Sequence, residues 1–327
     1  MRVLVLGAAG FIGANLVKAL CARATLQIDG GTPQRLRELV LADFHTVPTV
    51  RAADNLSIRI EQGDLREPVF LQRLLEDRYD CIFHLAATLT LDAEADFVQG
   101  LDVNVHALMR LLEQCRLQGH SPAVVFASSI STFGGNLPEV VDDEVVQTPE
   151  TSYGCHKLIA EVLISDYSRR GFIDGRVLRL PVVLTHPGPA TGSVSDRVAS
   201  LIREPLNQRD TICPLDPQLR IPVASARSVV KNLLALLALP AGVFGATRAM
   251  NLPSLTVTPA AIETAVARAI TPGHSAGKII WQQDPQLQRI AQGWPRSFTS
   301  RRAIGSGIAG DASMDAIVAA YVEDYLH

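Results

Sequence analysis

No apolar run in the chain approaches the roughly 18 residues that a membrane span needs. The longest candidate, Val229–Leu239, is interrupted by Lys231 and Asn232 and stops at Pro240. Charge of one sign is also scarce. With 30 basic and 33 acidic residues the net charge is -3, and no basic stretch offers a footprint for nucleic acid. Cysteine is sparse and its count is odd: Cys21, Cys81, Cys115, Cys155 and Cys213, with no C-x-x-C pair. That argues against a disulfide framework and for free thiols in a reducing cytoplasm. The eight histidines fall in no H-E-x-x-H or comparable spacing, so no metal site is expected. Met1–Leu6 reads directly as a strand, without the charged head and cleavage site of a signal peptide. Internal repeats and low-complexity tracts are missing too.

What is present suits a well-buried globular enzyme: 327 residues, 47% hydrophobic and 19% charged. Short continuous apolar runs at Val3–Leu6, Leu39–Ala42, Leu56–Ile60, Cys81–Leu85, Ala123–Ala127 and Val177–Leu184 read as strands buried on both faces. Amphipathic stretches at Phe11–Cys21, Arg66–Leu75, Val103–Leu117 and Ser152–Ser168 read as helices between them. Alternation of this kind implies βαβ units and a parallel sheet. After Pro181 the texture changes. Residues 185–222 are rich in Pro, Gly, Ser and Asp, with one helical stretch near Val198–Arg203. Ser225–Leu239, Pro259–Ala269 and Met314–Tyr325 read as further helices. The expected architecture is α/β: a doubly wound parallel sheet of Rossmann type in residues 1–182, and a smaller C-terminal lobe in residues 183–327. Residues 225–254 are expected to return to the first domain.

The first strand runs into Gly7-Ala8-Ala9-Gly10-Phe11-Ile12-Gly13, a G-x-x-G-x-x-G turn that opens a helix. Gly7 permits the turn, Gly10 admits a pyrophosphate, and Gly13 lets the helix pack close to the sheet. The helix N-terminus offers free N–H groups and partial positive charge to phosphate. A glycine turn without a ligand is the alternative, and the placement at the first strand–helix turn weighs against it. Asp43 closes the second strand, where a carboxylate accepts from ribose hydroxyls and repels a 2′-phosphate. This favours NAD over NADP, against the plainer reading of a solvated strand-end Asp. The gap from Gly13 to Asp43 exceeds the usual ~20 residues, and the polar stretch Gln27–Arg37 reads as an insertion. Asp64 and Leu65 end the third strand and are placed to contact adenine. Leu85, Ala86 and Ala87 end the fourth with small residues against which a cofactor can lie.

Tyr153 and Lys157 stand four apart in a helical pattern, hence on one helix face. A nearby ammonium stabilises the phenolate, so Lys157 is expected to lower the Tyr153 pKa from about 10. That would make Tyr153 an acid/base near neutral pH. Such a pair also arises as a half-buried Tyr with a surface Lys. Ser128-Ser129, at the end of the fifth strand, supports the chemical reading: Ser129 can hold the substrate oxygen whose proton Tyr153 moves.

Together, Gly7-x-x-Gly10-x-x-Gly13, Leu85-Ala86-Ala87, Asn104, Ser128-Ser129 and Tyr153-x-x-x-Lys157 resemble the extended short-chain dehydrogenase/reductases. The resemblance runs the length of the chain. It implies an NAD-binding Rossmann domain, a small substrate lobe and Ser129–Tyr153–Lys157 catalysis. It further implies that Lys157 holds the nicotinamide ribose, that Asn104 supports the cofactor side, and that Pro181 and Val183 flank the nicotinamide. Pairing of Val103–Leu117 and Ser152–Ser168 between subunits, as in that family, implies a homodimer.

A narrower likeness rests on Thr151–Gly154 with Lys157, Asp166–Phe172, Arg179–Pro181, Ile202–Leu206 and Gly293–Pro295. It is to members of that family that oxidise the C2 hydroxyl of a four-carbon sugar acid such as D-erythronate with NAD. Thr88, Ser129, Ser131, Tyr153 and Arg220 are the substrate contacts this implies. Arg220 would meet the carboxylate, since a guanidinium can take it with two parallel bonds; a surface ion pair is the alternative. Arg227 is a weaker candidate, and Arg179 reads as structural. The chain departs from the likeness in two places, with Asp196-Arg197 where Gly-Phe is expected and Pro222-Val223 where Trp-His is expected. Both segments bear on which acid fits. Two other readings remain: a nucleotide-sugar epimerase or dehydratase that retains its NAD, and a non-enzymatic NAD-sensing module. Intact Tyr153 and Lys157 weigh against the second.

Overall fold

The computed structural model describes residues 1–52, 56–184, 187–188, 193–270 and 275–326. The chain divides into two compact units, the first of residues 1–129, 151–179 and 230–250, the second of residues 130–150, 180–229 and 251–327.

In the first unit six strands follow the apolar runs: β1 Arg2–Leu6, β2 Glu38–Asp43, β3 Ser57–Gln62, β4 Cys81–His84, β5 Ala123–Ser129 and β6 Asp174–Leu180. With the short strand Ala249–Asn251 they form one seven-stranded sheet. Ala249–Asn251 lies at one edge, followed in order by β6, β5, β4, β1, β2 and β3. β1 pairs in parallel with β2 on one side and β4 on the other, and the β2–β3 and β4–β5 pairs are parallel too. Strand order therefore reverses beside β1, the place where open α/β sheets take ligands beyond their strand ends.

Helices α1 Phe11–Cys21, α2 Pro68–Leu74, α3 Ala107–Gln118 and α4 Ser152–Arg169 complete the unit. Leu4, Leu6, Val40, Ile82, Val124 and Phe126 pack on one sheet face with Leu108, Leu111, Leu112, Ala160 and Ile164 of α3 and α4. α4 starts where it does because the Thr151 hydroxyl accepts the Gly154 N–H at 3.1 Å, capping the helix. α3 stops at Gly119, whose φ of +65° continues no helix. The expected insertion forms an antiparallel pair, Thr25–Leu26 with Gln34–Arg35. In the turn between these strands, Asp29 and Gly30 donate their N–H groups to the Leu237 and Ala238 carbonyls. The fully buried Arg176 donates to Leu236 and Leu237, so the end of helix Ala226–Ala238 is tied down here.

Three expectations are corrected. The strand read over Val177–Leu184 is two strands. Pro181 has no N–H for a ladder, so β6 stops at Leu180 and Val182–Leu184 joins a sheet of the second unit. The helix read over Val103–Leu117 begins with a π-helical turn, Asp102–His106, before α3. Residues 130–150, expected in the first domain, belong to the second unit, because Ile130, Phe133 and Val141 bury themselves with Phe298.

In the second unit, Val182–Leu184 runs parallel to Ile221–Ser225, which pairs antiparallel with Leu255–Val257. Helices Val194–Leu206, Pro259–Ala269 and Met314–Tyr325 cover one apolar cluster with these strands. The first of them is longer than the expected Val198–Arg203, since Ser193 caps it by accepting the Asp196 N–H at 3.1 Å. Among the described residues no helix is long and apolar enough to cross a membrane, and all five cysteines are free.

Candidate active site

The glycine turn at the end of β1 is built by steric exclusion. Gly7 has φ +84°, and a Cβ there would stand 2.6 Å from the Ala86 nitrogen. A Cβ on Gly13 would stand 1.9 Å from the Gly7 oxygen. Those two glycines are required by the fold itself. Gly10 differs, because its Cβ would meet only the Gly7 oxygen at 3.3 Å. Gly10 is the N-cap of α1, with Phe11 and Ile12 as the first helical residues, and no side chain caps the helix. An uncapped helix N-terminus behind a side-chain-free turn suits a pyrophosphate. Asp43 stands beside the turn. Its carboxylate accepts the Ala9 N–H and the His45 N–H, each at 2.9 Å. Each oxygen has a further lone pair for a ribose hydroxyl. These residues fit NAD.

Asp64 is engaged locally: Arg66 binds its carboxylate with Nη2 at 2.7 Å and holds the group below the usual carboxylate range. Leu65 packs against the core beside it. Leu85 continues the β4 ladder through an N–H to the Leu6 carbonyl, and Ala86 and Ala87 follow without regular structure. Asn104 is buried inside the π-helical turn and grips Thr88 from both sides. Its Oδ1 accepts the Thr88 N–H and its Nδ2 donates to the Thr88 carbonyl, each at 2.9 Å. The extra residue of the turn aims this amide at the loop after β4, so Asn104 sets the shape of that loop.

The three chemical residues come together on β5 and α4. Ser129 ends β5 and its hydroxyl hydrogen-bonds the Tyr153 phenol. Lys157 is 3% exposed, donates from Nζ to the Ala127 carbonyl at 2.9 Å, and lies 4.4 Å from the centre of the Phe126 ring. Its Nζ is 5.6 Å from the centre of the Tyr153 ring. Burial pushes the Tyr153 phenol up to about 12, against the Ser129 bond, and pushes Lys157 down to about 7, against the Glu161 charge. This corrects the expectation that Lys157 draws the phenol down. Removing a phenol from water disfavours the phenolate, and a lysine at about 7 is a weak fixed cation.

Ser131, Pro181, Val183 and Arg220 belong to the second unit. Arg220 is bound to Glu139 in an exposed ion pair. Arg227 binds Glu323 and Asp324 at the surface. Asp196, one of the two departures from the family likeness, is buried and takes Arg203 Nη1 at 2.7 Å. Arg179 is buried on Glu161, with Nε 3.0 Å from both carboxylate oxygens. Glu161, His84 and His156 were not singled out by sequence reasoning. Glu161 could have been: it stands four residues after Lys157, on the same helix face. His84 and His156 carry no such spacing. Each has a buried ring nitrogen without a hydrogen-bond partner, Nδ1 of His84 and Nε2 of His156. Burial pushes His84 down to about 3.

Comparison with known proteins agrees with this geometry. The model of the NAD dependent epimerase/dehydratase family matches residues 3–239. A D-erythronate dehydrogenase of Cupriavidus necator is 39% identical over 324 residues, 99% of this chain and 98% of that protein. One of Haemophilus influenzae is 32% identical over 323 residues, 99% of each. A solved structure, the nucleoside-diphosphate-sugar epimerase from Agrobacterium tumefaciens, is 32% identical with a TM-score of 0.90, covering 100% of this chain and 94% of that one. The glycine turn, the Tyr153–Lys157 pair and the whole-length likeness agree: the chain belongs to the NAD dependent epimerase/dehydratase family, the extended short-chain dehydrogenase/reductases.

Proposed function

We propose that the chain is an NAD-dependent dehydrogenase that oxidises the C2 hydroxyl of a small D-erythronate-like sugar acid to the 2-oxo acid. One observation carries the reading. Ser129 hydrogen-bonds Tyr153, and Lys157 lies buried one helical turn on, in a chain 39% identical along its length to a D-erythronate dehydrogenase. Ser129 orients the substrate oxygen. Tyr153 takes its proton as the phenolate, having released its own proton once the cofactor's positive charge stands beside it, and the C2 hydrogen leaves with its electron pair, so that the C–O bond becomes a carbonyl. Lys157, one helical turn on, holds the compensating charge. NAD, when bound, would supply the hydride acceptor and a positive charge at the site. Gly10, the α1 N-terminus and Asp43 are the groups offered to its phosphates and ribose, with Asp64, Leu65 and Leu85–Ala87 toward the adenine and Pro181 and Val183 toward the nicotinamide. Thr88, Ser131 and Arg220 are the further substrate contacts, and Arg220 must exchange Glu139 for the carboxylate.

The test is NADH formation by the purified protein with NAD and a panel of four- to six-carbon aldonic acids that includes D-erythronate. Steady NADH accumulation with one of them is the expected result. Silence across the panel, with NAD binding confirmed by titration, would overturn the substrate class and turn attention to a nucleotide-sugar enzyme that returns its hydride. A homodimer and a cytoplasmic setting are part of the same proposal. The exposed Met109 of α3 and Ile159 and Val162 of α4 support the first, and the free cysteines the second. Light scattering at the monomer mass of 35.3 kDa would remove the dimer.

A further inference from the structure

Behind the Tyr153–Lys157 pair lies a second buried cluster. Tyr153, Lys157 and Glu161 recur every four residues and so line one face of α4. The Glu161 carboxylate is held from two strands. Ser128 of β5 donates its hydroxyl to Oε1. Arg179 of β6 donates Nε to both oxygens at 3.0 Å and Nη2 to Oε2 at 2.8 Å. All three residues are at most 3% exposed. Ser128 is the neighbour of Ser129, and Lys157 bonds the carbonyl of Ala127 on the same strand. We propose that Glu161 is a positioning residue for this reaction: its charge, partly balanced by Arg179, sets how firmly Lys157 keeps its proton.

A buried ion pair is a poor stabilising device, since well-packed apolar residues do as well or better. Stability therefore gives little reason for this one. Its position does, because it sits one helical turn from Lys157, the one buried lysine among the described residues. The other groups around Lys157 leave Glu161 as its anion. Along α4 the neighbour on the other side is the Tyr153 phenol, held protonated by burial. From β5 come the Phe126 ring and the Ala127 carbonyl. From β4 comes His84, whose ring lies 5.5 Å from Phe126 and stays neutral under the combined effect of burial and the Lys157 charge. From β6 comes Arg179, already closed on Glu161. Burial drives Lys157 toward losing its proton, and Glu161 opposes this.

The inference rests on the dehydrogenase reading, yet it can be tested without turnover. The chain has four lysines, Lys18, Lys157, Lys231 and Lys278, so carbon NMR of labelled lysine side chains can follow each one in the cofactor-free protein. Lys157→Met identifies its signal. Glu161→Gln leaves the Arg179 charge unbalanced, so the Lys157 midpoint should fall, by about tenfold in proton affinity. Arg179→Met leaves the Glu161 charge unbalanced, so the midpoint should rise. Opposite shifts are the expected result, and the pH limb of turnover should follow them. A purely structural cluster would lower the melting temperature of both variants and leave the midpoint unmoved, or move it in one direction for both; either result overturns the proposal. Where a single variant does not fold, the double variant leaves no lone charge, and its midpoint should lie below that of the unmodified protein. An unchanged midpoint there also overturns it. Opposite shifts with no turnover on any sugar acid would retire the proposed substrate and leave this role standing. Turnover with an unmoved midpoint would do the reverse.

Discussion

Two buried arginines, Arg179 in the first unit and Arg203 in the second, are both closed on carboxylates, and their surroundings differ. Arg203 is fully buried, with Nη1 2.7 Å from Asp196 and Nε 2.6 Å from Glu204. Glu204 in turn takes Arg209 Nε at 2.6 Å. That cluster contains two carboxylates and two guanidiniums, and it ties helix Val194–Leu206 to the turn that follows. The Arg179 cluster contains one carboxylate, one guanidinium and a buried lysine one helical turn away. The first arrangement closes on itself and the second leaves a cation whose protonation is open to adjustment. An ion pair is therefore best read by the charge it leaves beside it.

The comparison breaks most sharply at Tyr153. Tyr153→Phe keeps the ring and removes the proton carrier, so turnover should fall by about 10²–10⁴, while NAD affinity stays within a few fold. Steady-state rates beside an NAD titration decide it; an unchanged rate would remove Tyr153 from the chemistry. Arg203→Met comes next. It leaves Asp196 and Glu204 without their shared buried cation and should cost about 3–5 kcal/mol of stability, measured by denaturant unfolding. The Lys157 midpoint should not move, and a shift there would erase the distinction between the clusters.

Lys157→Met should give the smallest effect, and its sign is informative. In the folded protein Lys157 titrates at about 7, well below the ordinary value of about 10.4. Between those values the unfolded chain holds the extra proton, so stability rises with pH across that window. Below pH 7 the folded state carries the whole cost of a buried charge. Replacing Lys157 should therefore raise the melting temperature by a few degrees near pH 6, and the gain should fade toward pH 10. A gain independent of pH would show that packing, not charge, is responsible.

Much of the fold was legible because its signals are local. The apolar runs of β1, β2, β4 and β5 are continuous over several residues, and the helices Pro259–Ala269 and Met314–Tyr325 begin and end where their patterns do. The breaks in that reading each came from a contact the pattern does not contain. Pro181 lies inside an unbroken apolar run, and only the pairing of Val182–Leu184 with Ile221–Ser225 shows that the run belongs to two sheets. Asn104 lies within a continuous helical pattern, and only the extra residue of its π-helical turn points it at Thr88. Arg220 stood open between a substrate carboxylate and a surface partner, and the chain supplies Glu139.

The sequence by itself determined what depends on a few neighbouring bonds: the glycine turn, whose Gly7 and Gly13 admit no Cβ, and the four-residue spacing that puts Tyr153, Lys157 and Glu161 on one face of α4. Tertiary structure alone decided what those groups do to one another. Glu161 finds Ser128 33 residues away and Arg179 18 residues away. The direction of the Tyr153 and Lys157 shifts follows from burial, which belongs to the packed molecule as a whole. Backbone sterics act over one or two residues and can be read along the chain. Desolvation and charge act through space, and they exist only once the strands and helices have closed around the site.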